Sequence, residues 1–164
     1  MTAATARPVP RLLRRVLDAQ YRLYDRMRHP DAQRAAATPG QSGGFEALGD
    51  GGYCLLVTFK RDGTPVPTPV MFGRGDDGKV YIRCEPTSWK AKRARRDPHV
   101  RLVRCNARGK PKSPTLEGRA RILPPEEEER ARRILWDSYS VPIRIYEGTA
   151  DRLPVQMLYL EVSP

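Results

Sequence analysis

Pro65, Pro67 and Pro69 stand two apart inside a stretch that otherwise alternates like a β-strand. Residues two apart send their backbone N–H groups to the same side of a strand, so all three missing donors belong to one side of the ladder. That side cannot pair normally with another strand. It must be a free edge, or something other than a strand must lie against it. The preceding run, Tyr53 to Lys60, has Tyr53, Leu55, Val57 and Phe59 on one face and Cys54, Leu56 and Thr58 on the other. Both rows are largely apolar, which predicts a central strand. Arg61-Asp-Gly-Thr64 joins the two strands, with Asp-Gly as the hairpin signal.

Short strands continue. Gly75-Asp-Asp-Gly78 turns the chain into Lys79–Cys84, where Val80, Ile82 and Cys84 alternate with Tyr81 and Arg83. A helix is predicted over 88–96, ending before Pro98, and His99–Cys105 returns as a strand. Thr115–Leu123 is a further strand, and Pro124-Pro125-Glu-Glu-Glu-Glu129 opens a helix to about Tyr139, with acids where the helix dipole favours them. A last apolar strand spans Val155–Val162. Six short strands with two inserted helices predict a small, mostly antiparallel barrel.

The barrel is assigned to residues 51–164, and residues 1–50 to an N-terminal amphipathic helix and linker. In the helix, Leu12, Leu13, Val16, Leu17, Leu23, Tyr24 and Met27 recur at helical spacing from Arg11 to Arg28, before His29-Pro30. Such a stripe packs on its own domain or on a partner subunit. The Ala/Gly/Ser/Pro-rich stretch from Ala35 to Gly52 reads as a linker by composition.

The 164-residue chain carries a formal charge of +11, which points to an anionic ligand or partner. Its three cysteines, Cys54, Cys84 and Cys105, form no C-x-x-C pair and all fall in predicted strands. They read as small buried hydrophobes in a reducing, cytoplasmic compartment. No apolar run approaches the ~20 residues of a membrane helix, and no membrane association is expected. The two histidines, His29 and His99, sit in unrelated contexts, so no metal site is expected. Gly40-Gln-Ser-Gly-Gly44 matches the G-x-S-x-G elbow of serine hydrolases, but an Ala-rich stretch precedes it where that motif needs a strand. Trp136 and Tyr139 read as core or dimer contacts rather than substrate stackers.

The sharpest chemical signal is the start of the 88–96 helix. Ser88 is a capping residue type, and Lys90, Lys92 and Arg93 follow in the first turns. Cations there cost about 0.3–1 kcal/mol each against the helix dipole. Exposed N–H groups combined with Lys and Arg form an anion seat. The bland alternative is a solvated basic face.

Taken in order, Asp-Gly-Thr-Pro-Val-Pro-Thr-Pro-Val-Met-Phe, Val-Tyr-Ile-Arg-Cys, Ser-Trp-Lys-Ala-Lys-Arg-Ala-Arg-Arg-Asp-Pro-His-Val and Leu-Glu-Gly-Arg-Ala-Arg resemble the pyridoxamine 5′-phosphate oxidase-like superfamily. Within it they look most like the actinobacterial oxidoreductases that use the deazaflavin coenzyme F-420. The resemblance implies a six-stranded antiparallel split β-barrel of the FMN-binding type with flanking helices. It also implies a homodimer with cofactor at the interface, and hydride transfer to or from a small organic substrate. It places Thr68, Pro69, Val70 and Met71 along the cofactor ring, and Arg83, Cys84, Ser88, Lys90 and Arg93 at its phosphate. No residue stands out as an obligatory general acid. One alternative is an FMN- or haem-binding relative, or a carrier without turnover. A nucleic-acid-binding basic domain is a distant third, because Glu126–Glu129 interrupts the basic surface and Trp89 is the only aromatic in the basic helix.

Overall fold

The computed structural model describes residues 29–150 and 157–164. The helix predicted over residues 11–28 and the first residues of the predicted last strand lie outside the described residues. The elements are α1 (Asp31–Ala37), a 3-10 turn (Glu46–Leu48), β1 (Gly51–Phe59), β2 (Pro65–Arg74), β3 (Val80–Cys84), α2 (Trp89–Arg96), β4 (His99–Cys105), β5 (Leu116–Ile122), α3 (Pro125–Ser138), α4 (Val141–Ala150) and β6 (Leu158–Ser163). The six strands close into an antiparallel barrel in the order β1-β2-β3-β6-β5-β4, as the sequence pattern predicts, and the four helices flank it.

β1 is central, as its two apolar rows require. It pairs with β2 along its whole length and with β4 from Tyr53 to Val57. Cys54 and Leu56 point into the barrel with Phe72, Ile82, Leu102 and Leu160, while Leu55 and Val57 point outward beneath α1. The three cysteines are buried and unbridged.

Two helices differ from the sequence reading. The Ala35–Gly52 stretch is not an open linker: α1 takes in its first residues, and the 3-10 turn seats Phe45 and Leu48 in the barrel core. Small side chains explain α1. Ala32 and Ala36 are fully buried against Leu55, Val57, Val103 and Cys105, and a bulkier residue would hold the helix off the sheet. Pro30 stands at the N-cap of α1. α4 follows α3 after a single break, and Arg144 folds back so that its Nε donates to the carbonyls of Trp136 and Tyr139 at 3.0 Å each. The Trp136 carbonyl also accepts from the N–H of Tyr139, the C-cap of α3 (3.3 Å), so Arg144 adds a side-chain donor from the next element to the end of α3. In the resulting corner Tyr139 is buried and Trp136 half-exposed.

The proline side of β2 lies where the sequence argument puts it. Lys60 N–H donates to Thr64 O (2.9 Å) and Arg74 N–H to Asp50 O (2.8 Å), which sets the phase of the β1–β2 ladder. Phe59↔Pro65, Val57↔Pro67 and Leu55↔Pro69 are then the pairs that exchange no hydrogen bonds, and the proline nitrogens face away from β1. On that far side β3 pairs with β2 only through Gly73↔Tyr81 and Arg74↔Val80. The barrel is therefore closed by a two-residue seam and splayed beyond it.

α3 holds that seam. It lies so close to the facing glycines Gly51 and Gly73 that a Cβ on either would come 2.7 Å from Ser138 Cβ or 2.6 Å from Ser138 Oγ, respectively. Beneath it Glu161, only 5% exposed, accepts from Lys79 Nζ (3.1 Å) and from Arg121 Nε (2.8 Å). Tyr81 donates to Asp77 Oδ2 (2.8 Å), which also accepts from Arg130 of α3 (2.9 Å). Burial pushes the Glu161 carboxyl up, but hydrogen bonds from Arg121 and Lys79 outweigh it and hold the carboxyl below its usual range.

A carboxylate with a depressed folded-state pKa stabilises fully above its unfolded value of about 4.3, and that stabilisation is lost as pH falls through the folded-state value. Glu161→Gln is expected to lower stability at neutral pH by about 1–3 kcal/mol, because two cations lose their charged acceptor. Its loss of stability on acidification should also be shallower than that of the unmodified protein. Thermal melts at neutral pH and on the acid side check both outcomes.

Candidate cofactor site at the splayed seam

α2 begins where β3 ends, and its first turn has the geometry of an anion seat. Ser88 is the N-cap: its Oγ accepts from the Ala91 N–H (3.4 Å) and donates to Glu85 O (2.7 Å). No acid stands in the first turn. The positive potential of the helix start is therefore not neutralised from within the helix, and Lys90 adds to it. Cys84 ends β3, with its side chain almost wholly buried. Burial pushes its thiol up, with the nearby Lys90 charge and a hydrogen bond from Ser88 acting in the opposite sense. Cys84, Ser88 and Lys90 are thus one cluster.

The remaining predicted residues fall into two groups. Thr68, Pro69, Val70 and Met71 follow one another on β2 beside the splay. Val70 points into the barrel core, and Met71 packs outward against the cluster of Tyr81, Leu135 and Tyr159 beneath α3. Thr68 and Pro69 are half-buried, facing Leu56 and Leu55 of β1. Arg83 lies on β3 opposite Tyr159 of β6, beyond the last residues that β3 pairs with β2. Arg93 turns the other way: its Nε donates to the Thr58 hydroxyl at the barrel end (2.7 Å). That contact ties α2 to β1 and leaves Lys90, with Arg95, as the cations of α2 whose charge acts on Cys84.

Sequence reasoning did not find the groups that pair across strands. Glu161 with Lys79 and Arg121 is one set, and Glu117 with His99 and Arg101 is another. Each joins residues far apart in the chain, and only strand register brings them together. The Gly40–Gly44 segment has no nucleophile-elbow geometry: Gln41 bridges Leu116 of β5, and Gly40 N–H donates to Glu117.

The pyridoxamine 5′-phosphate oxidase family model matches residues 46–161, and the chain belongs to this family of split β-barrels. No curated protein sequence matches the chain significantly. Among solved structures, a conserved hypothetical protein of Mycobacterium tuberculosis is 19% identical, with 77% of this chain and 85% of that one covered and a TM-score of 0.50. A heme-binding protein of Mycobacterium smegmatis is 17% identical, with 82% of this chain and 51% of that one covered and a TM-score of 0.51. An F-420 reductase is 19% identical, with 77% of this chain and 95% of that one covered and a TM-score of 0.48. The first two likenesses show the shared fold.

If Ser88 organises the start of α2, Ser88→Ala should cost about 1 kcal/mol, and Ser88→Gly only a few tenths. Urea denaturation of the two variants checks the order.

Proposed function

We propose that the protein is an oxidoreductase that binds coenzyme F-420 at a homodimer interface and transfers hydride to or from a small organic substrate. The observation that carries this reading is the adjacency of two features. One is a β2 edge whose prolines offer no N–H to a neighbouring strand; the other is a capped, acid-free helix start with Lys90 beside Cys84. A planar cofactor lying along Thr68–Met71 would meet a backbone edge already excluded from ordinary pairing. Its phosphate would meet the Ser88–Lys90 turn, with Arg83 at the neighbouring strand.

When bound, the deazaflavin supplies the hydride chemistry. The chain's own part is to bind, orient and exclude water. The Ser88 hydroxyl fixes the first turn of α2, Lys90 supplies the charge, and Val70 and Met71 anchor β2 between the core and the α3 cluster so that the edge stays in place. Exposed Lys92 and Arg95 on α2 favour F-420, with its polyanionic tail, over FMN.

A nucleic-acid reading of the net charge is less well supported. Arg34, Arg74, Arg101, Arg121, Arg130 and Arg132 are all engaged in ion pairs with carboxylates. These six arginines are therefore held by carboxylates rather than gathered into one basic surface.

F-420 should bind more tightly than FMN, with a preference that shrinks as salt rises; absorbance and fluorescence titrations decide. Equal or stronger FMN binding at moderate salt would favour an FMN protein instead. Lys90→Ala should weaken F-420 binding by roughly 1.5–3 kcal/mol, whereas Arg133→Ala, which removes an exposed charge from α3, should leave it nearly unchanged. Equal losses would mean diffuse attraction and no seat.

Light scattering should give twice the chain mass, since a two-fold dimer is the commonest way to cover such an edge. Full cofactor binding by a monomer would contradict an interface site.

A further inference from the structure

The far end of α2 carries a second cluster that shares no residue with the cofactor seat. An open cleft of ≈ 510 Å³ is lined by Phe59, Lys60 and Arg61 at the β1–β2 hairpin, Arg96 and Asp97 at the end of α2, and His99 at the start of β4. Three cations face one carboxylate across it. The arginines of the last turn of α2 offset the partial negative charge of that helix end.

His99 is held as a poised donor. Its Nε2 lies 2.5 Å from Glu117 Oε2, and its ring stacks on Phe59 with centroids 4.8 Å apart and planes 8° apart. Glu117 also accepts from Gly40 N (2.7 Å) and Arg101 Nε (2.9 Å). Burial pushes the Glu117 carboxyl up, but hydrogen bonds from His99, Gly40 and Arg101 outweigh it and keep the group ionised. An ionised Glu117 only accepts, so the proton of neutral His99 sits on Nε2. Nδ1 has no partner among the described residues. Protonation would therefore add both a positive charge and a new N–H donor.

The charged groups around this imidazole are Lys60 and Arg61 from the hairpin, Arg96 and Asp97 from α2, Arg101 from β4, and Glu117 with Arg119 from β5, Arg119 being the cross-strand partner of His99. His99 stacks on the Phe59 ring and the Arg101 guanidinium lies 5.2 Å from its centroid, so both are already engaged with that ring. Charge and hydrogen bonding, rather than stacking, would select what binds.

We propose that this cleft is a second anion site, separate from the cofactor seat, that takes the dianionic oxyanion group of a small phosphate monoester, with His99 as its proton-gated donor. α2 spans the two sites: its eight residues separate Lys90 from Arg96 by only about 9 Å along the helix axis. Binding in the cleft draws a proton onto His99, so affinity rises as pH falls through the histidine range.

Inorganic sulfate is the decisive probe, because its charge does not change across that range, and inorganic phosphate is the chemical match. The test follows the imidazole NMR signals of the full chain during sulfate titrations near about pH 5.5 and about pH 8, with His29→Gln assigning the two histidines. Sulfate should bind about tenfold more tightly at the lower pH and should raise the midpoint of the His99 titration. His99→Gln, which keeps a donor for Glu117, should remove the pH dependence. Lys60→Ala with Arg61→Ala, both in an exposed turn, should weaken sulfate and phosphate binding at both pH values without altering the fold. Lys90→Ala should leave sulfate binding intact while weakening cofactor binding. Three results would each overturn the proposal: sulfate affinity independent of pH, affinity unchanged in His99→Gln, or loss of sulfate binding in Lys90→Ala. Failure to bind F-420 would sink the cofactor reading and leave this one standing.

Discussion

Three backbone nitrogens without hydrogens govern the shape of this barrel. Because Pro65, Pro67 and Pro69 all turn the same side away from β1, β2 can satisfy only one neighbour along most of its length. β3 joins it at Gly73–Arg74, at the end of β2 beyond the prolines, and diverges before reaching them. A barrel whose seam is two residues wide cannot rely on ladder hydrogen bonds to stay shut. Closure passes to side chains, and the residues that hold the seam sit outside the barrel rather than within it.

α3 supplies that closure. Its approach depends on two absent side chains, Gly51 and Gly73, and on a buried acid, Glu161, satisfied by Lys79 and Arg121. Arg130 carries the network from Asp77 into the helix itself. A buried carboxylate is a costly group to leave unpaired, so this arrangement selects one position for α3 as well as stabilising it. The splay begins immediately past the clamp, which makes the rigid part of the molecule the support for the open edge.

α2 spreads its basic residues over its two ends. Arg93 and Arg96 reach back to Thr58 and to the Phe59 carbonyl and fix the helix on the barrel end. Lys90 stays at the capped start beside Cys84. One short helix therefore presents two electrically different ends, each next to a separate cluster of strand residues.

The sequence by itself determined the strands, the hairpins, the blocked side of β2 and the capped start of α2. Each is a local property, settled by a period of two, an Asp-Gly turn, a missing N–H or a serine before a helix. Local signals passed over α1, which runs into a stretch read as linker by composition, and α4, whose Arg144 folds back onto the end of α3. Tertiary structure alone decided where the long charged side chains went. Arg93 faces a hydroxyl 35 residues away in the chain, and Glu161 meets a lysine 82 residues away. His99 and Glu117 are neighbours only because β4 and β5 pair in one register. Backbone geometry is written into short runs of residues, but side-chain partnership across a barrel depends on register and closure, which no short run contains.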